Sequence, residues 1–443
     1  MPCFPAGFAA LTHSSVTTSK RPASSESSRG GTGSRPREAY VWVWLPRATS
    51  PVVAGRLEAE GNLITFTYGR SYLDRVDAIS LYEPELPLVR GRLDPPAGLQ
   101  MASCIRDGGP DAWGQRVILA RRTGHLSGSS DTAELDQLTY LLESGSDRIG
   151  GLDFQTSSTD YRPRQESAKL DQLHLAAQSL EGGDILPEAL ATALLRGTSI
   201  GGARPKVLIE DGERRLIAKL SSTGDPYPVV KAEAVGMELA RLVGLDVPQT
   251  TLVESLGRDV LLVERFDRTR VIGERRLMVS ALTLLGLDEM WARYATYPDL
   301  AHLIRARFTN PQATLRELYR RIVFNVCIGN TDDHARNHAA FWDGRDLTLT
   351  PAYDLCPQVR SGLEAAQAMA IGSDGARASR LRVCLEAAAD YRLDQPEARS
   401  IIESMATTIR ETWSSAADVA RLTQLERTQL WGRQILSPFI FQD

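Results

Sequence analysis

A polar stretch of ten residues imposes the strongest constraint on how this chain can fold. It runs from Gly329 to His338 and reads Gly-Asn-Thr-Asp-Asp-His-Ala-Arg-Asn-His. It follows an apolar run with helical spacing. It precedes an alternating apolar segment, a turn and a second strand-like run that leads to Asp354. This order predicts a helix, a polar loop and a hairpin, with an aspartate where the hairpin ends.

The spacing within this stretch is typical of phosphoryl transfer. Asp332 and Asn337 lie five positions apart, as do the aspartate and the asparagine of the protein-kinase catalytic loop. In kinases a second metal-binding aspartate follows across a short hairpin, and Asp354 stands at that place here. Phosphoryl transfer needs such residues because hard oxygen ligands must fix Mg²⁺ against the phosphate oxygens.

The ten residues alone leave two other interpretations open. Asp, Asn and His are common in loops because their side chains form hydrogen bonds with the local backbone. A metal site made by Asp333, His334 and His338 is the second alternative, although no His-Glu-x-x-His or paired-cysteine pattern accompanies it. The rest of the chain has to decide between these interpretations.

Composition limits the class of protein. The 443 residues predict two or three packed units, and a hydrophobic content of 42% is ample for their cores. The net charge of −4 gives no sign of a broad nucleic-acid-binding surface. Five scattered cysteines without a close pair indicate a reducing, cytoplasmic environment. No apolar run approaches the length of a membrane span, and Met1–Phe8 is not a convincing signal peptide, so we expect no membrane association.

Changes in composition and pattern divide the chain into four segments. Residues 1–38 are rich in Ser, Thr, Gly, Pro and Arg and predict a disordered tail. Residues 39–155 predict a small α+β subdomain without a catalytic signature of its own. Residues 156–275 predict a lobe with a glycine loop and a hinge, and residues 276–443 predict a mainly helical lobe that contains the polar stretch.

The third segment carries three features in the order of a kinase N-terminal lobe. Gly201 and Gly202 precede a strand, and such a pair can bring backbone N–H groups close to phosphates. The next strand places Lys219 among apolar neighbours, where a kinase keeps its phosphate-binding lysine. Glu233 lies in the first turn of the following predicted helix, as the partner of that lysine would, although it equally well complements the helix dipole.

The predicted architecture follows from the order of these features. A hairpin ends in Glu264–Arg268, where a kinase chain crosses between lobes and exposes backbone groups to adenine. Helical patterns dominate from there, with helices expected at Met278–Leu285 and Leu363–Met369 among others. Each feature is weak alone, but their common order favours one fold. The predicted fold class is α+β: a two-lobed, protein-kinase-like fold with an added N-terminal α+β subdomain and a mainly helical C-terminal lobe.

These residues resemble the signature motifs of the HipA family of bacterial toxin kinases. The resemblance covers nearly everything from Ala39 to about Ala406, and the N-terminal segment contributes Asp147–Phe154. The other matching motifs are Ser199–Lys206, Ile217–Leu220, Glu264–Arg268, Asn330–Asn337 and Leu349–Asp354.

The resemblance implies a serine/threonine protein kinase that binds ATP and Mg²⁺. Asp332 matches the catalytic base, and Asn337 and Asp354 match the metal ligands. Ser199 matches a serine whose autophosphorylation switches the family enzyme off. The residues expected to bind ATP or to support its binding are Gly201, Gly202, Lys206, Lys219, Glu233, Glu264 and Phe266.

The resemblance also implies partners. Family members act as toxins of type II toxin–antitoxin pairs. A small helix-turn-helix antitoxin binds both the kinase and the operator DNA, and an aminoacyl-tRNA synthetase is an expected class of protein substrate. Two alternatives stay open: a small-molecule kinase of the antibiotic-phosphotransferase type, and a catalytically idle corepressor module. The intact Lys219, Asp332, Asn337 and Asp354 argue against the idle module.

Overall fold

The computed structural model describes residues 35–442 except 124–131, 133–134, 165–167, 185–186, 361 and 363. Residues 36–443 form one compact unit, so the predicted boundaries inside this range stay a prediction. The predicted tail at residues 1–38 lies outside the described residues as far as position 34.

An antiparallel sheet of five strands dominates the N-terminal segment, in the order β4-β3-β2-β1-β5. The strands are β1 (Glu38–Val43), β2 (Val52–Glu60), β3 (Leu63–Tyr68), β4 (Arg92–Leu93) and β5 (Leu152–Gln155). The predicted turn between β2 and β3 is confirmed, and Gly61 adopts the positive φ of +60° that such a turn favours. β1 lies between β2 and β5, which brings the two ends of this segment together.

Four helices accompany this sheet, and one of them extends beyond it. They are α1 (Arg70–Leu73), α2 (Ser103–Arg106), α3 (Ala112–Thr123) and α4 (Gln137–Glu143). Trp113, Val117 and Ile118 of α3 are buried in a hydrophobic cluster shared with the following segment. α3 therefore belongs to the N-terminal segment by sequence but shares a core with the next one.

The next segment contains a four-stranded antiparallel sheet in the order β6-β7-β9-β8. Its elements are α5 (Leu170–Gly182), α6 (Glu188–Leu194), β6 (Lys206–Asp211), β7 (Arg214–Leu220), α7 (Val229–Leu242), β8 (Thr250–Ser255) and β9 (Arg258–Glu264). The central strand β7 places Lys219 beside Lys206 of β6 and Leu261 of β9. The predicted lysine strand and its neighbouring hairpins are confirmed.

The remaining chain is mainly helical and carries a small sheet in the order β10-β11-β12. Its elements are β10 (Leu277–Ser280), α8 (Ala281–Leu284), α9 (Tyr297–Arg307), α10 (Pro311–Ile328), β11 (Ala339–Trp342), β12 (Leu347–Leu349), α11 (Leu381–Glu386), α12 (Gln395–Val419) and α13 (Gln424–Leu430). α10 buries most of its residues from Leu315 onward and forms the core of this lobe. The α+β class and the mainly helical lobe agree with the prediction.

The predicted helix at Met278–Leu285 is wrong in its first half, the one at Leu363–Met369 is wrong over its described residues, and tertiary contacts explain both. Leu277–Ser280 pairs with β11, and only the four residues after Ser280 are helical, because the Ser280 side chain caps that short helix. Residues 364–369 form no helix because their backbone bonds elsewhere. Gln367 N–H donates to the Arg377 carbonyl (2.7 Å), and Ala368 N–H donates to the Thr331 carbonyl (3.1 Å). Among the described residues, no helix is long and apolar enough to cross a membrane.

Candidate functional site

Lys219 lies at the centre of a charged cluster drawn from three parts of the chain. From β7, its Nζ atom donates to Glu233 of α7 and lies 2.6 Å from Asp354 Oδ1, beyond β12. Its strand neighbours Ala218 and Leu220 are buried, which places the Lys219 side chain on the opposite face of β7. The lysine therefore connects the sheet, α7 and the helical lobe at one point.

The pKa values of the two carboxyl groups in this cluster shift in opposite directions. Attraction to Lys219 is the main reason that the pKa of Asp354 falls to about 2. Burial dominates at Glu233 and raises the pKa of that carboxyl, against the attraction of Lys219. Burial disfavours the charged lysine, but Asp354 and Glu233 outweigh it and raise its pKa above the usual value. Asp354 is thus fully ionised at neutral pH, as a metal ligand must be.

A glycine turn lies beside this cluster, immediately before β6. Gly201 and Gly202 have positive φ values of +80° and +88°, which residues with side chains rarely adopt. A Cβ atom on Gly202 would overlap Lys206 Nζ, which donates to the Gly201 carbonyl. Burial, and secondarily the charge of Lys219, lower the pKa of Lys206 to about 8. The glycine turn therefore lies beside two ammonium groups, which suits a polyanion.

The predicted catalytic loop begins at a tight helix end. α10 ends at Gly329, whose φ is +69°, and a Cβ atom there would come within 2.7 Å of the Gln434 carbonyl. Only glycine fits this position without displacing a neighbour. The Asn330 N–H donates to the Asn325 carbonyl (2.9 Å), which completes the end of the helix. The loop therefore leaves the helical core in a fixed direction.

The predicted base and one predicted metal ligand contact each other in this loop. Asp332 is exposed, and Asn337 Nδ2 donates to its carbonyl (3.2 Å). Partial burial raises the pKa of Asp332, the charge of Asp354 adds to the rise, and His334 opposes it. Asn330 Nδ2, two residues before Asp332, also donates to the Asp354 carbonyl (3.5 Å). The structure thus brings Asp332, Asn337 and Asp354 into one region.

The residue after the predicted base holds the loop in place. The Asp333 carboxylate is buried and accepts hydrogen bonds from the Tyr297 hydroxyl and from Asn325 Nδ2 (2.7 Å), and His338 Nε2 lies 2.9 Å away. Asn330 Nδ2 extends the network to Asn325 Oδ1 (2.9 Å). Burial would raise the pKa of Asp333, but His338 and the hydrogen bonds hold it below the usual value. Sequence reasoning gave this residue no structural role.

This network also weakens the alternative of a metal site in the loop. Oδ2 of the Asp333 carboxylate already has three polar neighbours. Among the described residues, no group of three or more His, Cys, Asp or Glu side chains is placed to hold a metal ion. The carboxamide and carboxylate pair of Asn337 and Asp354 is the better candidate.

The predicted adenine-binding segment follows β9. Glu264 pairs with Leu216 at the end of the sheet. The Phe266 ring lies 6.0 Å from Phe341 and 5.7 Å from Tyr353, measured between ring centroids. Because Tyr353 precedes Asp354, the segment passes directly beside the cluster around Lys219. The structure therefore brings Glu264 and Phe266 to the edge of the same site.

The segment Glu264–Arg268, where the chain crosses between the lobes (the crossing segment), also carries a buried ionic network that sequence reasoning missed. Arg265 lies 2.7 Å from Asp267 and 3.0 Å from Asp147 of the N-terminal segment. Arg268 contacts the same two carboxylates at 2.9 and 2.8 Å, and the Gly150 N–H donates to Asp267 (2.7 Å). The signal was the alternation of basic and acidic residues in Glu264–Arg268. This network joins the N-terminal segment to the crossing segment.

The predicted autophosphorylation residue is not where an open loop would place it. The position of Ser199, two residues before Gly201, predicts a loop with little to bury, and this prediction is wrong. Ser199 is 1% exposed, and its Oγ donates to the Gly145 carbonyl (2.8 Å). The Ile149 N–H also donates to the Ser199 carbonyl (3.2 Å), which ties this residue to the N-terminal segment. Its modification stays a prediction.

The part of the chain that contains the site matches a known protein family. Residues 198–413 match the family described as the HipA-like C-terminal domain. The chain carries a HipA-like C-terminal domain. The matched range begins just before the glycine turn and includes Lys219, Asp332 and Asp354. The region of the site therefore coincides with the region of the family match.

Two curated relatives are similar in sequence to the chain that carries this HipA-like domain. The protein Y4mE of Sinorhizobium fredii is 29% identical over 282 residues, which are 58% of this chain and 65% of that protein. The serine/threonine-protein kinase toxin HipA of Shewanella oneidensis is 28% identical over 183 residues, which are 35% of this chain and 42% of that protein. The chain thus spans less than two thirds of the length of these relatives.

A solved structure shares the fold of this chain. It is HipA in the complex of the Shewanella oneidensis toxin–antitoxin system with HipB and operator DNA. The TM-score is 0.64 at 20% sequence identity, and the match covers 86% of this chain and 94% of that one. The coverage extends the shared fold beyond the C-terminal domain, in agreement with the predicted α+β class.

The Asp333 network generates a prediction about stability. We expect Asp333→Asn to destabilise the fold by at least about 1–3 kcal/mol, because buried donors lose a charged acceptor. The folded pKa of Asp333 is lower than its unfolded value, so its stabilising contribution is fully present above the unfolded pKa. It is lost as the pH falls through the folded pKa. Urea unfolding at several pH values measures this, with the exposed Asp94→Asn as control. A difference between wild type and variant that stays constant below about pH 4 would contradict this assignment.

Proposed function

We propose that this chain is an ATP- and Mg²⁺-dependent serine/threonine protein kinase that acts as the toxin of a HipA-type toxin–antitoxin pair. The observation that carries the proposal is the position of Lys219. It contacts both Glu233 and Asp354, beside a loop that presents Asp332 and Asn337. The name of the Shewanella oneidensis relative and the HipA-like domain support the same activity.

The residues around the glycine turn fit the phosphates of ATP. Lys206 and Lys219 are adjacent on paired strands and provide two positive charges. Gly201 and Gly202 allow the backbone to approach a phosphate closely because neither has a Cβ atom. Glu233 holds Lys219 in position from α7. The adenine ring would lie against the crossing segment, at Glu264 and Phe266.

The residues on the other side of the site fit Mg²⁺. Asp354 is ionised and has two carboxylate oxygens, of which Oδ1 faces Lys219. Asn337 uses Nδ2 as a donor to the backbone, which leaves Oδ1 as its potential metal ligand. When bound, Mg²⁺ would supply positive charge against the phosphate oxygens.

Asp332 is the side chain of this loop that can receive the proton of a substrate hydroxyl. It is exposed, whereas Asp333 is buried and already accepts several hydrogen bonds. The raised pKa of Asp332 makes its carboxylate a stronger base than an ordinary aspartate. A serine or threonine hydroxyl within hydrogen-bond reach of Asp332 would transfer its proton to the carboxylate as its oxygen attacks the phosphate.

The first functional prediction concerns this base. We expect Asp332→Asn to reduce phosphotransfer by roughly 10²–10⁴-fold while ATP still binds, because the amide cannot accept the proton. Asp354→Ala should instead weaken Mg²⁺-dependent nucleotide binding. The measurements are phosphate transfer to protein and nucleotide affinity with and without Mg²⁺. The exposed Asp343→Asn, on the hairpin between β11 and β12, is the control.

The same variant identifies the substrate. Comparison of phosphorylated proteins after induction of wild type and of Asp332→Asn would show which proteins gain phosphate only with the wild type. We propose a translation component such as an aminoacyl-tRNA synthetase. If Asp332→Asn keeps phosphotransfer near the wild-type level, Asp332 is not the base. Transfer to a small molecule but to no protein would support a small-molecule kinase instead.

Ser199 generates the second functional prediction. We expect slow self-phosphorylation at Ser199 and loss of ATP binding afterwards, because a phosphate adds about −1.5 to −2 charges at pH 7. The reaction should be slow because the Ser199 hydroxyl is buried and bound to the Gly145 carbonyl. Mass spectrometry of protein incubated with ATP and Mg²⁺ measures it, and Ser199→Ala is the matched variant. Labelling of protein substrates while Ser199 stays unmodified would contradict the prediction.

A third prediction concerns the partner. The net charge of −4 makes this chain a poor operator binder alone, since affinity for duplex DNA depends on cationic contacts to phosphates. We expect a stable complex with a small helix-turn-helix repressor that brings the kinase to its operator. Residues 39–155 are the proposed dock, because they lack a catalytic signature. Copurification and operator gel shifts at defined salt, with a variant lacking residues 1–38, test this. Tight, sequence-specific DNA binding by this chain alone would overturn it.

A further inference from the structure

One carboxylate outside the family-matched region links the two loops of the site. Asp111 stands immediately before α3, in the N-terminal segment. The Gly202 N–H of the glycine turn donates to its Oδ2 atom (2.6 Å), and Arg336 of the catalytic loop lies 2.7 Å from its Oδ1 atom. Arg336 also contacts Glu289. The two oxygens of Asp111 therefore bridge the turn that precedes β6 and the residue that precedes Asn337.

The start of α3 lies along the glycine loop at several further points. Trp113 Nε1 donates to the Lys206 carbonyl (3.2 Å), and Arg116 donates to the Ala203 carbonyl (3.3 Å). A Cβ atom on Gly114 would overlap the Thr198 carbonyl. These contacts hold the backbone of residues 198–206 against α3, so the bridge through Asp111 is part of a continuous interface.

We propose that Asp111 is a positioning residue that holds the glycine turn in register with the catalytic loop through Arg336. This inference rests on the proposed kinase function and assigns one determinant of its ATP geometry to the N-terminal segment. Asp111 lies outside the charged cluster of Lys219, Glu233 and Asp354, and its proposed role needs no contact with the nucleotide. Its effect passes through the position of Gly202, on the phosphate side, and of Arg336, on the metal side.

Charge and partial burial make this bridge effective. The side chains of Asp111 and Arg336 are only 21% and 20% exposed, so solvent screens their attraction incompletely. Each hydrogen bond of the bridge involves a charged group, and such bonds are roughly twice as strong as neutral ones. Without Asp111, Gly202 loses its side-chain acceptor, and Arg336 keeps its contact with Glu289, whose side chain is 57% exposed.

Steady-state kinetics of the full chain with ATP, Mg²⁺ and an identified protein substrate test this assignment. We expect Asp111→Ala to raise the KM for ATP by about tenfold or more, the range lost with a charged hydrogen bond, and to leave the KM for the protein substrate nearly unchanged. Asp111→Asn keeps an acceptor for the Gly202 N–H, so its KM for ATP should lie between those of the wild type and of Asp111→Ala. If Asp111 and Arg336 act through one shared interaction, the double variant Asp111→Ala, Arg336→Ala should raise the KM for ATP by less than the product of the factors for the two single variants.

Two controls separate the possible failures. Asp94→Asn removes an exposed carboxylate of the same segment, and Glu289→Gln removes the other partner of Arg336, so both should keep the wild-type KM for ATP. If wild type neither binds nor uses ATP, the proposed function fails. If wild type is active and Asp111→Asn and Asp111→Ala keep its KM for ATP, or bind ATP more tightly, the positioning role is overturned. Thermal unfolding checks folding, and Asp111→Asn serves as the test if the alanine variant is unstable.

Discussion

The contact between Lys219, Glu233 and Asp354 is the interaction on which the rest of the site depends. One ammonium group connects the sheet, α7 and the segment after β12, so three parts of the chain must be correctly placed for it to form. Glu233 is buried, so its carboxyl group would lose its charged partner without Lys219, which makes a partly assembled cluster unfavourable. The geometry proposed to bind phosphate is therefore also a condition for joining the two lobes.

A second set of charged side chains joins the N-terminal segment to the crossing segment. Asp147 meets Arg265 and Arg268 in a region closed to solvent, and Arg275 donates to the Ser146 carbonyl (2.8 Å) beside it. Burial opposes the ionised form of Asp147, but the neighbouring arginines hold its pKa far below the usual value. The crossing segment thus has two functions in the molecule. Its backbone borders the proposed nucleotide site, and its side chains fix the N-terminal segment.

Local pattern and fixed spacing account for what could be predicted from the sequence. The strand around Lys219 and the five-residue separation of Asp332 and Asn337 are short-range features, and the kinase order placed them in one site. The first half of the predicted helix at Met278–Leu285 shows the limit, because pairing with β11 overrides a helical pattern in a short apolar run. The contact between Asp111 and Arg336 could not be predicted, since nothing in either local sequence identifies a partner so distant in the chain.

The N-terminal segment holds the glycine loop at two positions, Ser199 and Gly202, and this restricts how the site could be controlled. Ser199 Oγ donates to the Gly145 carbonyl, and the Gly202 N–H donates to Asp111, so both anchors belong to the N-terminal segment. A phosphate on Ser199 would need space and solvation that a side chain 1% exposed does not have. The observed loop conformation and a modified Ser199 therefore exclude each other. Modification at this residue therefore requires that the hydrogen bond from Ser199 Oγ to the Gly145 carbonyl be broken first.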